Sequence, residues 1–435
     1  MSVDNELFLQ RIKEYFGDDH QVFLDKLNEE ESHALYMNTH KASKEDILSL
    51  IDFRIWPSAY SGQSYYYDCD SIGKTKVYDL GLIYPQDVAA SLSSSYIDTE
   101  NIHTIVDMCA APGGKTIDIL NRVGDDVLCI ANDTSYTRAQ TLSSNLERLG
   151  FSNVIITNKN TNELADQLEN FADIVILDAP CSGEGMIRKY PGILDTYSIN
   201  NIRSLAELQS GLLDDAYRML KSGGQLIYST CTYAFEEDED QVLSFLERYP
   251  DMELIYIDLK SSSKLKGTVK LSPIYDTEGQ FFALMRKKGQ AEDASFRPLK
   301  AIKDKIVDDF IKENLSITDY YLYKNNEHYY LSLMPMIDLK RNVLKYGIYI
   351  GETVNKRFEP SHNLYRADSL LLFFRYRYEL SDEEYQKFVS GNEIRKDLDK
   401  HYYLVTYKDH PVGFVKSSNG SLKNKYPKGL RQLDR

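Results

Sequence analysis

Asp173-Ile-Val-Ile-Leu-Asp178-Ala-Pro-Cys181-Ser-Gly-Glu184-Gly-Met-Ile-Arg188-Lys189 is the stretch on which the reading of this chain turns. Ile174 to Leu177 is an unbroken β-branched and aliphatic run, the pattern of a strand covered on both faces. It stops at Asp178 and enters a loop holding a proline, two glycines and a cysteine. In an open α/β sheet, ligands bind beyond the carboxyl ends of the strands. Asp178 and Cys181 therefore stand where chemistry is expected. The alternative is a packing thiol, since free cysteine is often buried, but a Gly-rich loop offers it little apolar wall.

Outward from this stretch the same rhythm repeats. Strands predicted at Thr104–Asp107, Val127–Asn132, Val154–Thr157, Ile174–Asp178 and Gln225–Ser229 alternate with helices at Lys115–Arg122, Ser135–Leu149, Thr161–Leu168 and Ile199–Leu220. This is a parallel sheet with crossover helices, an α/β Rossmann-like unit over residues 101–288. After a helix at Glu236–Arg248, Met252–Ile257 and Phe281–Arg286 read as strands that pair as an antiparallel edge. Residues 1–100 read as a small N-terminal α+β module, with helices around Leu7, Ile12, Phe16 and around Phe23, Leu24, Leu27. A strand at Ala34–Asn38 and a helix from Lys44, capped by Ser43, follow. Residues 289–378 read as a second small α+β unit, with strands at Tyr329–Leu333 and Tyr346–Ile350. Residues 379–435 form a terminal unit opened by the capping box Ser381-Asp-Glu-Glu384 and continued by a hairpin of Tyr402–Tyr407 and Val412–Val415.

At 435 residues the chain exceeds one ordinary core. Cysteines 69, 109, 129, 181 and 231 form no disulfide-like framework, and the reducing cytoplasm is the expected location. Neither cysteine loop carries a His or second Cys at ligand spacing, so no metal is expected. No apolar run approaches the ~20 residues that span a bilayer, and the first residues lack a signal pattern; no membrane association is expected. The net charge of −15 argues against a diffuse nucleic-acid binder, although screening confines each charge to about 10 Å and leaves room for a local basic face. Lys416, Lys423, Lys425, Lys428, Arg431 and Arg435 stand against the lone acid Asp434, interleaved with Tyr426 and glycines. That segment reads as RNA-binding, with a solvated charge run as the alternative.

Asp107-Met-Cys-Ala-Ala-Pro-Gly-Gly-Lys-Thr116 follows the first strand of the sheet and opens a helix. Its small residues and glycines admit a ligand close to the backbone, with helix N–H groups facing it. Asp133 ends the second strand; it suits either ribose hydroxyls or the N-cap of the next helix. Tyr228-Ser-Thr-Cys231-Thr232 closes the fifth strand. Two thiols are thus expected to face one crevice, on either side of a base-sized pocket beside a cofactor.

These residues carry a resemblance. Asp107–Thr116, Asp178-Ala-Pro-Cys-Ser-Gly-Glu-Gly-Met186, Ser229-Thr-Cys-Thr232 and Glu278-Gly-Gln-Phe-Phe-Ala283 resemble the Nop/Sun family of RNA cytosine-5 methyltransferases. Arg357-Phe-Glu-Pro-Ser-His362 and Leu422-Lys-Asn-Lys-Tyr-Pro-Lys-Gly-Leu-Arg431 are similar to its bacterial RsmF-like branch. The resemblance implies a class I methyltransferase sheet, S-adenosyl-L-methionine as methyl donor and a C-terminal PUA-like RNA-binding unit. It implies Cys231 as nucleophile, Cys181 as the residue assisting product release, Asp178 on the cytosine edge and Lys115 in support, with a surface lysine as the alternative. Cys109, Ala110, Ala111, Pro112, Gly113, Gly114, Lys115 and Asp178 would hold the methionine side of the donor, Asp133 the ribose and Asn160 the adenine side.

Asn160 replaces the family's usual Asp, Tyr36-Met-Asn-Thr39 lacks its usual Arg, Pro85 interrupts a Tyr-x-Gln segment and Phe235 replaces a Pro. The expected function is cytosine-5 methylation of small-subunit (16S) ribosomal RNA by a monomer, with Arg188 and Lys189 adding contacts near the site. Transfer RNA as substrate and a non-catalytic RNA-binding assembly factor are the alternatives.

Overall fold

The computed structural model describes residues 5–290 and 296–432; Asp434 and Arg435 of the basic terminus lie outside the described residues. At its centre is a nine-stranded mixed sheet. Its strands are β1 (Thr104–Asp107), β2 (Leu128–Asn132), β3 (Val154–Thr157), β4 (Ala172–Asp178), β5 (Leu220–Thr230), β6 (Met252–Ile255), β7 (Val269–Leu271), β8 (Gln280–Lys287) and β9 (Val343–Tyr346). The order is β6-β8-β5-β4-β1-β2-β3-β9, with β7 also paired to β8. The strands from β5 through β3 run parallel, and β8 and β9 join antiparallel at opposite sides. Helices α1 (Gly114–Leu120), α2 (Tyr136–Leu149), α3 (Thr161–Gln167), α4 (Ile199–Met219) and α5 (Glu239–Arg248) accompany the strands. Two apolar cores, one on each face, bury Val106, Val175 and Leu177 on one side and Ile105, Ile174 and Ile176 on the other. This alternation is why Ile174–Leu177 of β4 holds no polar residue.

The antiparallel edge predicted for the late strands is present, as β6 pairs with β8. Tyr346–Ile350, expected as one strand, is instead two. Gly347 at φ +71° breaks it; a Cβ there would lie 2.8 Å from the Leu331 carbonyl oxygen. Before the break, β9 joins the central sheet beside β3; after it, Ile348–Val354 enters a separate four-stranded antiparallel sheet with Tyr321–Asn325, His328–Ser332 and Arg357–Pro360. The 289–378 stretch therefore does not stand apart from the central unit.

The N-terminal helices Glu6–Phe16 and His20–Leu27 are followed by an antiparallel sheet of Ala34–Met37, Arg54–Pro57, Ser64–Asp68 and Ile83–Pro85. Tyr36 is buried within it. The terminal unit holds the predicted capping box at Ser381 and Glu384. Its hairpin of Tyr402–Tyr407 and His410–Ser418 turns through Lys408 and Asp409, both at positive φ. The two ends of the chain share one core: Leu35, Met37 and Ile47 pack in the same cluster as Tyr385, Phe388, Val405 and Leu422. Tyr426, which interrupts the basic segment, belongs to this core and donates to Asp79, whereas Lys423, Lys425 and Lys428 are exposed.

Candidate active site

Beyond the carboxyl ends of β1, β4 and β5 lies a cavity of about 490 Å³ lined by Asp107, Cys109, Lys115, Asp178, Cys181 and Cys231, among others. Each enters for a local reason. β1 ends at Asp107, whose buried carboxylate accepts from the Thr116 hydroxyl at 2.6 Å on α1, folding the intervening loop back on the strand. Within that loop Ala110, Ala111, Pro112 and Gly114 line the cavity. A Cβ on Gly114 would come within 2.8 Å of the Gln86 amide. Gly113 does not line the cavity; at φ +121° it turns the loop behind it, against Leu142.

Lys115 is not a surface lysine. Its side chain is 6% exposed, and its Nζ lies 2.8 Å from Asp178 Oδ2. Asp178 Oδ1 accepts from the Ser229 hydroxyl at 2.8 Å. The carboxylate at the end of β4 is thereby fixed from both sides, yet remains 41% exposed to the cavity.

The two cysteines stand side by side on one wall rather than flanking a base-sized gap: their sulfurs are 3.1 Å apart. The Cys231 backbone N–H also donates to Cys181 Sγ at 3.2 Å. A hydrogen bond to Cys231 and burial together push the Cys181 thiol well above its ordinary range. Cys181 therefore holds its proton, within hydrogen-bond reach of the Cys231 sulfur.

A polar scaffold holds the two cysteine loops. Ser182 Oγ and Thr232 Oγ1 are 2.7 Å apart, and the Gly185 N–H donates to the Cys231 carbonyl at 2.9 Å. The buried Glu184 carboxylate accepts from the Thr232 hydroxyl at 3.0 Å and the Tyr233 N–H at 2.9 Å. The hydroxyls of Tyr197 and Tyr15, the latter from the first helix, also point to Glu184. Phe235 packs edge-on to Tyr15 at 5.1 Å, so this replacement anchors the loop to the N-terminal helix.

Asp133 lines the cavity and is buried. It is not the helix cap: Ser135 caps α2, and Asp133 Oδ1 accepts the Ser135 N–H at 2.9 Å. Asn160 is exposed at the start of α3 and does not line the cavity. Arg188 does not face the cavity as a phosphate contact. Its side chain is buried and paired in bidentate fashion with buried Glu278, at 2.7 and 3.1 Å. Lys189 is exposed at the cavity.

The cavity wall contributed by Tyr84, Pro85, Gln86 and Asp87 and by Glu278, Gly279 and Gln280 was not assigned a role from the sequence. Both stretches were conspicuous there as motif segments. The two stretches meet where the Glu278 N–H donates to Asp87 Oδ2 at 3.4 Å, and Gly279 packs backbone to backbone on Gly185 of the Cys181 loop; a Cβ on Gly279 would lie 2.3 Å from Gly185 Cα. Among the described residues no cluster of three or more His, Cys, Asp and Glu is placed to hold a metal, and no helix is long and apolar enough to cross a membrane.

Three family models match this chain in order. The N-terminal domain of 16S rRNA methyltransferase RsmF matches residues 5–88, 16S rRNA methyltransferase RsmB/F matches 95–286 and the methyltransferase RsmF PUA domain matches 375–432. The chain belongs to the RsmB/F family of Nop/Sun methyltransferases. Among its RsmB/F relatives, the ribosomal RNA small subunit methyltransferase F of Erwinia tasmaniensis is 28% identical, over 95% of this chain and 93% of its own. The protein of the same name from Shewanella halifaxensis is 29% identical over 91% of each. A methyltransferase homolog protein of Pyrococcus horikoshii superposes with a TM-score of 0.57 at 25% identity, covering 66% of this chain and all of its own. NSun6 of the same organism, solved with SFG, gives 0.59 at 22%, covering 66% and 98%, a likeness of fold.

The methyl donor of the RsmB/F family is S-adenosylmethionine, and the cavity suits it. Its floor is built of residues too small to obstruct a ligand, Asp107 Oδ1 is buried without a hydrogen-bond partner among the described residues, and Asp133 offers a carboxylate to hydroxyl donors. Burial pushes the Asp107 carboxyl up to about 7, with the Thr116 hydroxyl opposing and the Asp178 charge adding to the rise. Its unfolded value is about 3.9. A carboxyl raised in the folded state contributes stability that is fully present below the unfolded value and is lost as pH rises through the folded one. From pH 4 to 8 the urea midpoint of the wild type should therefore fall more than that of Asp107→Asn. Parallel titration curves for the two proteins would contradict this.

Proposed function

We propose that this chain transfers a methyl group from S-adenosylmethionine to carbon 5 of a cytosine in small-subunit ribosomal RNA, through a covalent bond between Cys231 and the base. The observation that carries the reading is the sulfur pair, in contact at 3.1 Å beside a carboxylate fixed by Lys115 and Ser229. Carbon 5 of cytosine is a poor nucleophile. Addition of the Cys231 thiolate to carbon 6 forms an S–C6 bond and moves the ring's C5=C6 electrons toward carbon 5, making it enamine-like. When bound, the donor supplies an electrophilic methyl group, which ends on carbon 5. The carbon 5 proton then leaves to a base, its C–H electrons restore C5=C6, and the S–C6 bond breaks with its pair returning to Cys231.

The residues divide these tasks. Cys181, holding its proton against Cys231, assists the release. Asp178 accepts from the cytosine amino edge, for which a carboxylate is the suitable acceptor, since each of its oxygens keeps a second lone pair beside Lys115 and Ser229. Lys115 holds Asp178 in place and offsets its charge. Asp107, Cys109, Ala110, Ala111, Pro112, Gly114 and Asp133 hold the donor, with Gly113 shaping the loop behind them. The target base must leave its stack to reach Cys231. The assignment of ribosomal RNA rests on the names of the relatives that match nearly the whole chain.

Purified protein with labelled S-adenosylmethionine should label small-subunit ribosomal RNA, and the labelled nucleoside should be 5-methylcytidine. Label in another nucleoside, or only in transfer RNA, would overturn the corresponding part of the reading.

A further inference from the structure

On the N-terminal sheet, Trp56, the sole tryptophan of the chain, is 43% exposed on the edge strand Arg54–Pro57. An exposed tryptophan on a sheet edge is an expensive residue to present to water, and its surroundings are organised. The Tyr66 ring from the adjacent strand stacks beside it, centroids 5.9 Å apart and planes 25° apart. The Arg54 guanidinium lies 5.4 Å from the Trp56 ring centroid. Trp56, Tyr60, Tyr66 and Tyr275 line an open depression of about 460 Å³, within the range that holds small organic ligands, about 300–1,000 Å³.

The depression is tied to the wall of the catalytic cavity by one segment of chain. The Tyr60 hydroxyl donates to the Tyr275 carbonyl at 2.9 Å, and the Tyr66 hydroxyl to the Asp276 carbonyl at 2.8 Å. From Asp276 the chain runs through the buried Thr277 to Glu278, Gly279 and Gln280 in the cavity wall.

We infer that Trp56 and Tyr66, with Arg54, form a stacking platform for an unpaired base of the RNA strand that carries the target nucleotide. The inference rests on the RNA methyltransferase reading above and adds how the strand is held. Single-stranded RNA is recognised by stacking splayed bases on aromatic rings and arginine planes. A base extruded into the catalytic cavity leaves its strand neighbours unstacked nearby. Arg54 is exposed and makes no ion pair among the described residues, so its charge is available to a nearby phosphate. Lys189, exposed at the cavity, supplies a second positive charge on the side of the nucleophile.

Because the chain has one tryptophan, its emission reports this platform alone. Titration of the full chain with a cytosine-containing single-stranded RNA oligonucleotide should quench that emission, and a fully paired duplex of the same sequence should quench it less. Trp56→Ala should raise the Kd for the single strand, and the KM for RNA, about 5- to 100-fold, with kcat at saturating RNA unchanged. Trp56→Phe should recover part of the loss. RNA binding with silent Trp56 emission, or an unchanged Kd in Trp56→Ala, would overturn the platform even if the RNA is methylated. Quenching and weakened binding without any methylated cytosine would leave the platform standing and overturn the catalytic reading. Absence of RNA binding would overturn both.

Discussion

Cys181→Ala is expected to leave the protein covalently attached to its RNA. With Cys231 intact, addition to carbon 6 and methyl transfer still proceed, while release of the product loses its assisting group. A band retarded by the mass of the RNA should persist on a denaturing gel and collapse after ribonuclease. Turnover should fall by at least about 10³-fold, the scale at which loss of one member of a catalytic unit is felt. Cys231→Ala should lose turnover to the same degree or more and give no retarded band. The double substitution should resemble Cys231→Ala, because without the nucleophile there is nothing to release. The opposite assignment, an adduct in Cys231→Ala and none in Cys181→Ala, would exchange the roles of the two thiols.

Arg188→Ala is expected to damage stability before it touches RNA affinity. Arg188 and Glu278 are 7% and 2% exposed at their side chains and share two hydrogen bonds. Removing one partner of such a pair leaves an uncompensated buried charge, at a cost of about 3–5 kcal/mol. For a unit of this size that corresponds to a fall in melting temperature on the order of 10 °C. Glu278→Ala should cost a similar amount, and Arg188→Met combined with Glu278→Leu should lose less than either single alanine, because no lone charge remains. A variant Arg188→Ala that melts like the wild type but binds RNA more weakly would return this arginine to the phosphate role that its position suggested.

The parts of the site that were legible in the sequence are local. Ile174–Leu177 announced a strand with both faces covered, and both core clusters claim its residues alternately. The small-residue loop from Cys109 to Gly114 and the two cysteine-bearing strand ends also declared themselves by composition. What was not legible depends on partners distant in sequence. Lys115 read equally well as a surface lysine because its partner Asp178 lies on another strand. Arg188 read as a phosphate contact because Glu278, ninety positions on, is invisible from its neighbourhood. Tyr426 read as part of a basic, RNA-binding segment, yet Asp79 of the N-terminal unit accepts from its hydroxyl. The break at Gly347 needed knowledge of the Leu331 carbonyl beside it. That the two sulfurs touch, rather than face each other across a gap, is set by the Gly185 to Cys231 and Ser182 to Thr232 contacts between their loops.

The most direct measurement uses an RNA substrate in which the cytosines are replaced by 5-fluorocytosine, with the wild-type protein and S-adenosylmethionine. Fluorine cannot leave carbon 5 as a proton does, so the reaction stops at the adduct, and tryptic peptides can be weighed by mass spectrometry. The account predicts one modified peptide, containing Cys231 and carrying a methylated fluorocytidine. A modified Cys181 peptide, or label transferred with no peptide modified at all, would contradict it.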